Sequence, residues 1–482
     1  MKATAKIPVL TVAQMRHWEH LSWEAGIAAD FVIQKVGLLA ARRVLELTNS
    51  GDAIWILAGR GHNGDDARAM APHLAKREVL HIEVTDPARG LTDFTRQLKS
   101  RAPRCIIDGL FGIGLNRPLD SDWRALIEAV NATDRPVVAI DIPSGLDADT
   151  GAAEGAAIKA ALTLTLAAPK AGLLKAPEFT GRLEVVPDIG LVPCPLRSDL
   201  NWTMAADFAG LPPRRTVVAN KGNYGHAALF CGSLGYHGAC VLTARGAQRA
   251  RPGLVTAFPQ ESVYVPVAAQ LQSAMIHPWQ PAQPLPKTCT ALLFGPGLAA
   301  KELPETLKEE MRSHWLSSPQ AVVVDASALD WLPPGPIAGG SPRLITPHPG
   351  EAGRLLGCSA AAIQADRVKA LRDLSEKFGS CWVALKGHQT LVGRSTGDIF
   401  VNSSGNPALA QGGSGDLLAG YLTGLLAQPF WAANPLLTAR YGVWQHGAAA
   451  DFLSRTKPNW TVDDLEEHLG SVPSGDVLNC FL

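Results

Sequence analysis

Short β-branched runs alternate with helical patterns along the whole chain. In the first half the runs are Ala53–Ala58 (A-I-W-I-L-A), Val79–Val84, Cys105–Ile107, Val137–Ile140 and Thr163–Ala167. In the second half they are Ala227–Cys231, Ala291–Phe294, Ala321–Val324, Leu344–Thr346 and Trp382–Leu385, followed by a hairpin-like pair around Gly393–Gly397. Apolar runs of this kind, separated by helices, predict α/β architecture built on parallel sheets. A helix is predicted from Asp66 to Lys76. Prolines break the pattern across Val186–Leu200 and again in Leu211–Arg215, where neither a helix nor a central strand tolerates them. A linker is therefore expected there, with one α/β domain over residues 1–205 and a second over 206–482. No sequence repeat relates them.

Composition narrows the field. Lys+Arg and Asp+Glu are 44 each, so the chain has no basic surplus with which to hold nucleic acid or acidic lipid. Hydrophobic residues make up 46% and charged ones 18%, enough to fill two cores and too apolar for disorder. The eight cysteines form no C-x-x-C pair and are expected as buried single thiols in a reducing compartment. The start of the chain has no apolar core of signal-peptide length. The most apolar stretch, Leu417–Ala433, is broken by Gln428 and Pro429 and falls short of a membrane span. A soluble cytoplasmic protein is expected, with no membrane or nucleic-acid partner.

Ligands of open α/β sheets bind beyond the carboxyl ends of the strands. In the first half those positions carry G-R-G-H-N-G-D-D (Gly59–Asp66), D-G-L-F-G-I-G-L-N-R-P (Asp108–Pro118) and D-I-P-S-G-L-D (Asp141–Asp147). Each supplies an Asp or Asn beside a glycine-rich turn. Gly59, Gly61 and Gly64 also match G-x-G-x-x-G, and Glu83 follows at the dinucleotide-fingerprint distance. That reading leaves Asp108 and Asp141 unexplained, and each of these alone could simply cap a turn.

Together with Met15, Trp18 and Glu19 near the start, these three ordered motifs resemble the NAD(P)H-hydrate epimerase domain. The resemblance implies a Rossmann-like three-layer fold and a potassium ion bound by Asn63, Asp108 and Ser144. It implies substrate contacts from His62, Asn63, Gly64, Asp65 and Asp66, from Gly112, Ile113, Gly114, Leu115, Asn116, Arg117 and Pro118, and from Asp141, which would also be catalytic. Two positions depart from the family's N-N-G-G-D-G. His62 replaces an amide, and Asp65 puts a carboxylate where a glycine would let backbone approach a phosphate.

The second half carries N-P-A-L-A-Q-G-G-S-G-D-L-L-A-G (Asn406–Gly420). Gly412, Gly413 and Gly415 leave backbone N–H groups open at a helix N-terminus, where an anion is favoured, and Asp416 follows in the first turn. A carboxylate beside a cradled phosphate can take the proton of an attacking hydroxyl. The chain has no Walker sequence. G-G-S-G-D marks ribokinase-like folds. It comes with N-K-G-N-Y-G-H-A (Asn220–Ala227), G-S-L-G-Y-H-G-A (Gly232–Ala239), G-P-G-L (Gly295–Leu298) and V-D-A-S-A-L (Val324–Leu329). T-P-H-P-G-E (Thr346–Glu351), L-K-G-H-Q-T (Leu385–Thr390) and H-G-A-A-A-D (His446–Asp451) complete the series.

These motifs resemble the ADP/ATP-dependent NAD(P)H-hydrate dehydratase, and the whole chain resembles the bifunctional NAD(P)H-hydrate repair enzyme family. The resemblance implies that Lys386, Gly387, His388, Gln389, Thr390 and Gly415 hold the nucleotide. Ala239, Gly297, His348 and the catalytic Asp416 would face the hydrate, with magnesium on the donor phosphates and ADP favoured over ATP. Ser327 departs from an aspartate usual in V-D-A-D-A. A homo-oligomer is expected. The alternative is a ribokinase-like small-molecule kinase with a non-catalytic N-terminal binding domain.

Overall fold

The computed structural model describes residues 6–115 and 117–473. It divides into two compact units that part between Trp202 and Thr203.

In the first unit a short antiparallel ribbon pairs β1 (Ile7–Pro8) with Leu200–Trp202. The main sheet contains β2 (Ala53–Ala58), β3 (Glu78–Glu83), β4 (Cys105–Gly109), β5 (Val137–Ile140), β6 (Leu162–Leu166) and β7 (Arg182–Val186), in the order β3-β2-β4-β5-β6-β7. Every pairing in it is parallel. Helices cover both faces: Ala29–Leu47 packs Val36, Ala40 and Val44 on one side, while Pro87–Ser100 and Ser121–Asn131 bring Phe94, Leu126 and Ile127 to the other. The three-layer, Rossmann-like arrangement follows from strands that are apolar on both faces. The order reverses between β2 and β4, and a crevice opens at such a switch point.

The ribbon strand Leu200–Trp202 is β8. In the second unit β9 (His226–Phe230), β10 (Leu254–Ala257), β11 (Met275–Ile276), β12 (Ala291–Phe294), β13 (Ala321–Val324), β14 (Arg343–Ile345) and β15 (Trp382–Leu385) are parallel. The hairpin β16 (Leu391–Gly393) and β17 (Ile399–Val401) adds antiparallel strands at one side. The order is β17-β16-β15-β14-β13-β12-β9-β10-β11. The helix Ser414–Leu426 lies against His237–Arg249 at the centre of this unit, and almost every one of its side chains from Leu417 onward is buried. Residues 417–428 are thus core, whereas Pro429, Phe430 and Ala433 are exposed, and among the described residues no helix is long and apolar enough to cross a membrane.

Four departures from the sequence reading have local causes. The helix predicted to begin at Asp66 begins at His62, because Gly61 adopts an extended conformation and serves as its N-cap. It ends at Met70 and tightens to a 3₁₀ turn, where Pro72 withdraws the N–H the helix needs. The strands β7, β10 and β11 and the ribbon were not foreseen; β11 has only two residues, and the ribbon closes inside the proline-rich stretch. Among the cysteines, Cys358 is exposed and Cys194 half-buried, and Cys231 and Cys240 are not isolated: their sulfurs stand 3.2 Å apart. Cys480 lies outside the described residues.

Candidate active sites

The loops after β2, β4 and β5 meet at one rim of the first sheet and border a cavity of about 780 Å³. His62, Asn63, Asp66, Gly112, Ile113, Gly114, Leu115, Arg117 and Asp141 line it, joined by Glu19 and Lys170. Gly64, Asp65 and Pro118 do not, and Asn116 lies outside the described residues. Gly64 has a packing task instead: a Cβ there would stand 2.1 Å from the Gly59 carbonyl oxygen, so glycine lets the helix sit down on the strand end.

Asp65, expected beside the substrate, turns away from the cavity to Arg68, whose Nη1 donates to it at 2.8 Å. Arg68 also donates to Glu83 through Nε and Nη2, at 3.0 and 2.6 Å, and holds that carboxyl below its ordinary range. Glu83 is therefore occupied as an internal ion-pair partner, and the dinucleotide fingerprint describes a packing device here. Arg68 pairs the Asp65 carboxylate outside the cavity lining.

Asn63, Asp108 and Ser144 come together as the motifs suggested. Ser144 Oγ donates to Asp108 at 2.6 Å, its backbone N–H donates at 2.8 Å, and the Phe111 N–H donates to Ser144 Oγ at 2.9 Å. Asn63 Nδ2 donates to the Phe111 carbonyl at 2.8 Å, which leaves its buried Oδ1 without a hydrogen-bond partner. Full burial pushes the Asp108 carboxyl up to about 6, against the bonds from Ser144 and Leu110. An orphaned amide oxygen beside a buried carboxylate is a donor set that suits a hard cation.

Asp141 holds a left-handed backbone, φ 65°, which only a well-determined site sustains. Its carboxylate accepts from the Leu166 N–H at 2.9 Å and is ion-paired with Lys170. Lys170 is buried, and it also donates to the Leu166 carbonyl at 3.0 Å. The sequence reading missed this lysine. Around the pair, burial and the neighbouring Asp141, Asp65 and Glu19 raise Asp66 to about 8, while Lys170 pulls it down. Glu19 is raised for the same reasons, burial first and Asp141 next.

In the second unit the glycine-rich segment ends in Gly413, at φ 92°, which caps the helix Ser414–Leu426. Asp416 stands in its first turn. Lys386, directly after β15, donates to Asp325 Oδ1 at 2.8 Å and lies 3.9 Å from Glu351. Gly415 packs beside it, since a Cβ there would lie 3.4 Å from Lys386 Nζ. Burial disfavours the Lys386 ammonium, but Asp325, Glu351 and Asp416 outweigh this and raise its pKa. Burial, with Asp325 and Glu351, pushes Asp416 up to about 6 against the pull of Lys386.

His348 is the N-cap of the helix Pro349–Leu356. Its Nδ1 accepts from the Gly350 and Glu351 N–H groups at 3.0 and 3.3 Å. The accepted bonds place the ring proton on Nε2, at an exposed side chain. Gly297 and Ala239 are neighbours: a Cβ on Gly297 would stand 2.8 Å from that of Ala239.

The Gly387–Thr390 loop is tied down by Arg367, a residue the sequence reading passed over. Its guanidinium donates to the carbonyls of His388, Gln389 and Leu385, the last two at 3.3 and 3.1 Å. Other motif residues are supports. His446 is buried against Ser414, with its pKa lowered to about 4 by burial, so the ring is neutral. Asp451 accepts from Asn406 Nδ2 and the Gly405 N–H, both at 3.0 Å. His226 is a core histidine between Thr256 and Thr288.

A glycine-lined helix N-terminus beside a carboxylate and a buried lysine, on a ribokinase-like sheet, is the arrangement of a phosphoryl-transfer enzyme. The family described as NAD(P)H-hydrate dehydratase matches residues 227–470, and that described as YjeF-related protein N-terminus matches residues 85–172. The bifunctional NAD(P)H-hydrate repair enzyme Nnr of Coxiella burnetii is 33% identical over 474 residues, covering 91% of this chain and 93% of its own. That of Gloeobacter violaceus is 34% identical over 521 residues, covering 98% and 99%. The solved structure of the ADP/ATP-dependent NAD(P)H-hydrate dehydratase from Bacillus subtilis, co-crystallised with ATP and Mg2+, is 28% identical with a TM-score of 0.50. It covers 56% of this chain and 95% of its own. The chain belongs to the bifunctional NAD(P)H-hydrate repair enzyme family.

Proposed function

We propose that the chain restores hydrated NAD(P)H in two steps: the first unit interconverts the R and S hydrates, and the second dehydrates the S hydrate with ADP as phosphoryl donor. The observation that carries the reading is the position of Asp416, at a glycine-lined helix N-terminus and beside the Lys386–Asp325–Glu351 cluster.

The hydroxyl on the saturated ring carbon is a poor leaving group. Transfer of the terminal phosphoryl group to it makes phosphate the leaving group, and elimination then restores the dihydropyridine. With ADP the other product is AMP. Asp416 takes the hydroxyl proton as the oxygen attacks, and the helix N-terminus faces the transferring phosphoryl oxygens. Lys386 and the loop through Gly387, His388, Gln389 and Thr390 hold the nucleotide. His348, with its proton on Nε2, faces the hydrate with Ala239 and Gly297. Magnesium, carried on the donor phosphates near the carboxylates around Lys386, neutralises charge between them.

In the first unit, inverting the carbinol carbon requires one of its bonds to open and re-form. A base takes the hydroxyl proton as the ring C–N bond breaks to give the aldehyde, and an acid protonates the nitrogen. Closure on the other face reverses both transfers. Asp141, paired with Lys170, is the carboxylate of the set, and Asp66, held up to about 8, keeps its proton at neutral pH. A carboxyl that keeps its proton beside an ion-paired carboxylate can divide acid and base roles. Potassium fits the Asn63 Oδ1, Asp108 and Ser144 oxygens, where it would balance the buried charge and fix both glycine loops. The chain acts as a homo-oligomer in the cytoplasm.

Incubation of the purified protein with hydrated NADH, magnesium and ADP or ATP should restore near-ultraviolet dihydronicotinamide absorbance. Asp416→Ala should abolish it. Each separated epimer should be consumed faster than spontaneous interconversion allows; consumption of one alone would remove the first unit's role. Replacing potassium by lithium should slow only the epimer exchange.

A further inference from the structure

The second unit contains a cavity of about 420 Å³ that the repair chemistry leaves unused. Asn223 and Tyr224 line it and lead into β9, and Arg251 lines it and precedes β10. It therefore opens at the amino ends of the strands, whereas Asp325 and Lys386 follow the carboxyl ends.

Its lining is aromatic: Tyr421, Trp431 and Tyr441 are buried behind it, with Trp431 stacked on Tyr441 at 4.7 Å, while Phe430 is exposed. Among the described residues its charges are of one sign: Arg214, Arg215, Arg249 and Arg251 line it and no carboxylate does. Arg249 is committed to Glu466 at 2.5 Å, but Arg214, Arg215 and Arg251 have no acidic partner among the described residues. Arg215 is held at the mouth, its guanidinium 3.9 Å from the Tyr224 ring centroid and donating to the Arg251 carbonyl. In a chain with 44 basic and 44 acidic residues, such a one-signed lining beside an exposed aromatic ring is a specific arrangement.

Guanidinium forks match phosphate oxygens, and aromatic faces take planar rings. We infer that this cavity is a second ligand site, separate from the dehydratase centre, for a nucleoside monophosphate. The base lies against the exposed ring of Phe430, and the phosphate meets Arg214, Arg215 and Arg251. The volume is near the lower end of the roughly 300–1,000 Å³ typical of ligand cavities, room for a mononucleotide rather than a dinucleotide. Tyr421 and Leu425 lie on the helix Ser414–Leu426, about 8 and 14 Å from Asp416 along its axis at roughly 1.5 Å per residue. A bound nucleotide thus touches the far end of the element that carries the proposed base.

Calorimetric titration of the full chain with AMP tests this. Two AMP molecules should bind per chain. The Arg215→Gln/Arg251→Gln double variant should lose one of them, with affinity falling at least about tenfold, while NADH recovery at saturating ADP stays unchanged and reports an intact fold. Lys386→Gln should lose the other. Inorganic phosphate should bind the arginine site at least about tenfold more weakly than AMP. A single AMP per chain lost in Lys386→Gln, unchanged binding in the double variant, or phosphate binding as tightly as AMP would each overturn the inference.

Discussion

Lys386 Nζ stands 2.8 Å from Asp325 Oδ1, although the two residues are 61 positions apart in the chain. The pair joins the ends of β13 and β15 and sets the charge seen by Asp416. Asp325 and Glu351 are both buried, so Lys386→Gln leaves two carboxylates facing each other without a cation. Removing one partner of such a pair costs about 3–5 kcal/mol. Urea unfolding should show a loss of that order. Because Lys386 lowers the Asp416 pKa, the acid limb of dehydration should also move to higher pH in this variant.

Asp416 itself titrates near 6, raised mainly by burial. A base must be ionised, so dehydration should fall away as pH drops below about 6. The stability effect has the opposite sense. With the folded pKa above the unfolded one, the folded state binds the extra proton between about 4 and 6, and stability falls as pH rises through that window. Asp416→Asn should therefore abolish dehydration yet stabilise the fold at neutral pH by about 1–2 kcal/mol, a partial exposure already discounted. Loss of both activity and stability would contradict this.

Asp66 should control the alkaline side of epimer exchange. Its pKa is pushed up to about 8 by burial and by Asp141, Asp65 and Glu19, so exchange should decline above about 8 as the proton leaves. Asp66→Asn should abolish exchange, since the acid is gone, while the dehydration profile keeps its shape. Exchange followed by NMR across pH measures both.

Asp65→Gly should leave epimer exchange within about twofold of the parent, because the carboxylate points to Arg68 and not into the cavity. The lost surface pair is worth about 0–1 kcal/mol, and glycine within a helix costs about 1 more. Thermal unfolding should register that small loss. A large gain in exchange rate would mean that Asp65 reaches the substrate after all.

Most of the sheet could be read from the sequence because its strands are apolar on both faces. Ala53–Ala58, Val137–Ile140, Ala291–Phe294, Ala321–Val324 and Trp382–Leu385 have the bounds their runs predicted. Strands β7 and β10 escaped notice because Arg182–Val186 carries charges and Leu254–Ala257 is a short run after a Pro-Gly turn. The motif residues around Asp108 and Lys386 were legible through their glycines and strand-end positions. Lys170 and Arg367 were not. Each acts across the fold, Lys170 on Asp141 29 positions away and Arg367 on the His388 carbonyl 21 positions away, and neither lies in a recognisable local pattern. The direction in which Asp65 points was equally invisible, since it depends on a helix that starts four residues earlier than predicted.

The central claim is that phosphoryl transfer through Asp416 ends in elimination rather than in a stable phosphorylated product. Simultaneous measurement of NADH formed and phosphate released from the S hydrate, with magnesium and ADP, tests it most directly. The parent protein should release one phosphate for each NADH, and Asp416→Asn should give neither product. Consumption of the nucleotide with a persistent phosphorylated hydrate and no NADH would contradict it and restore the kinase reading.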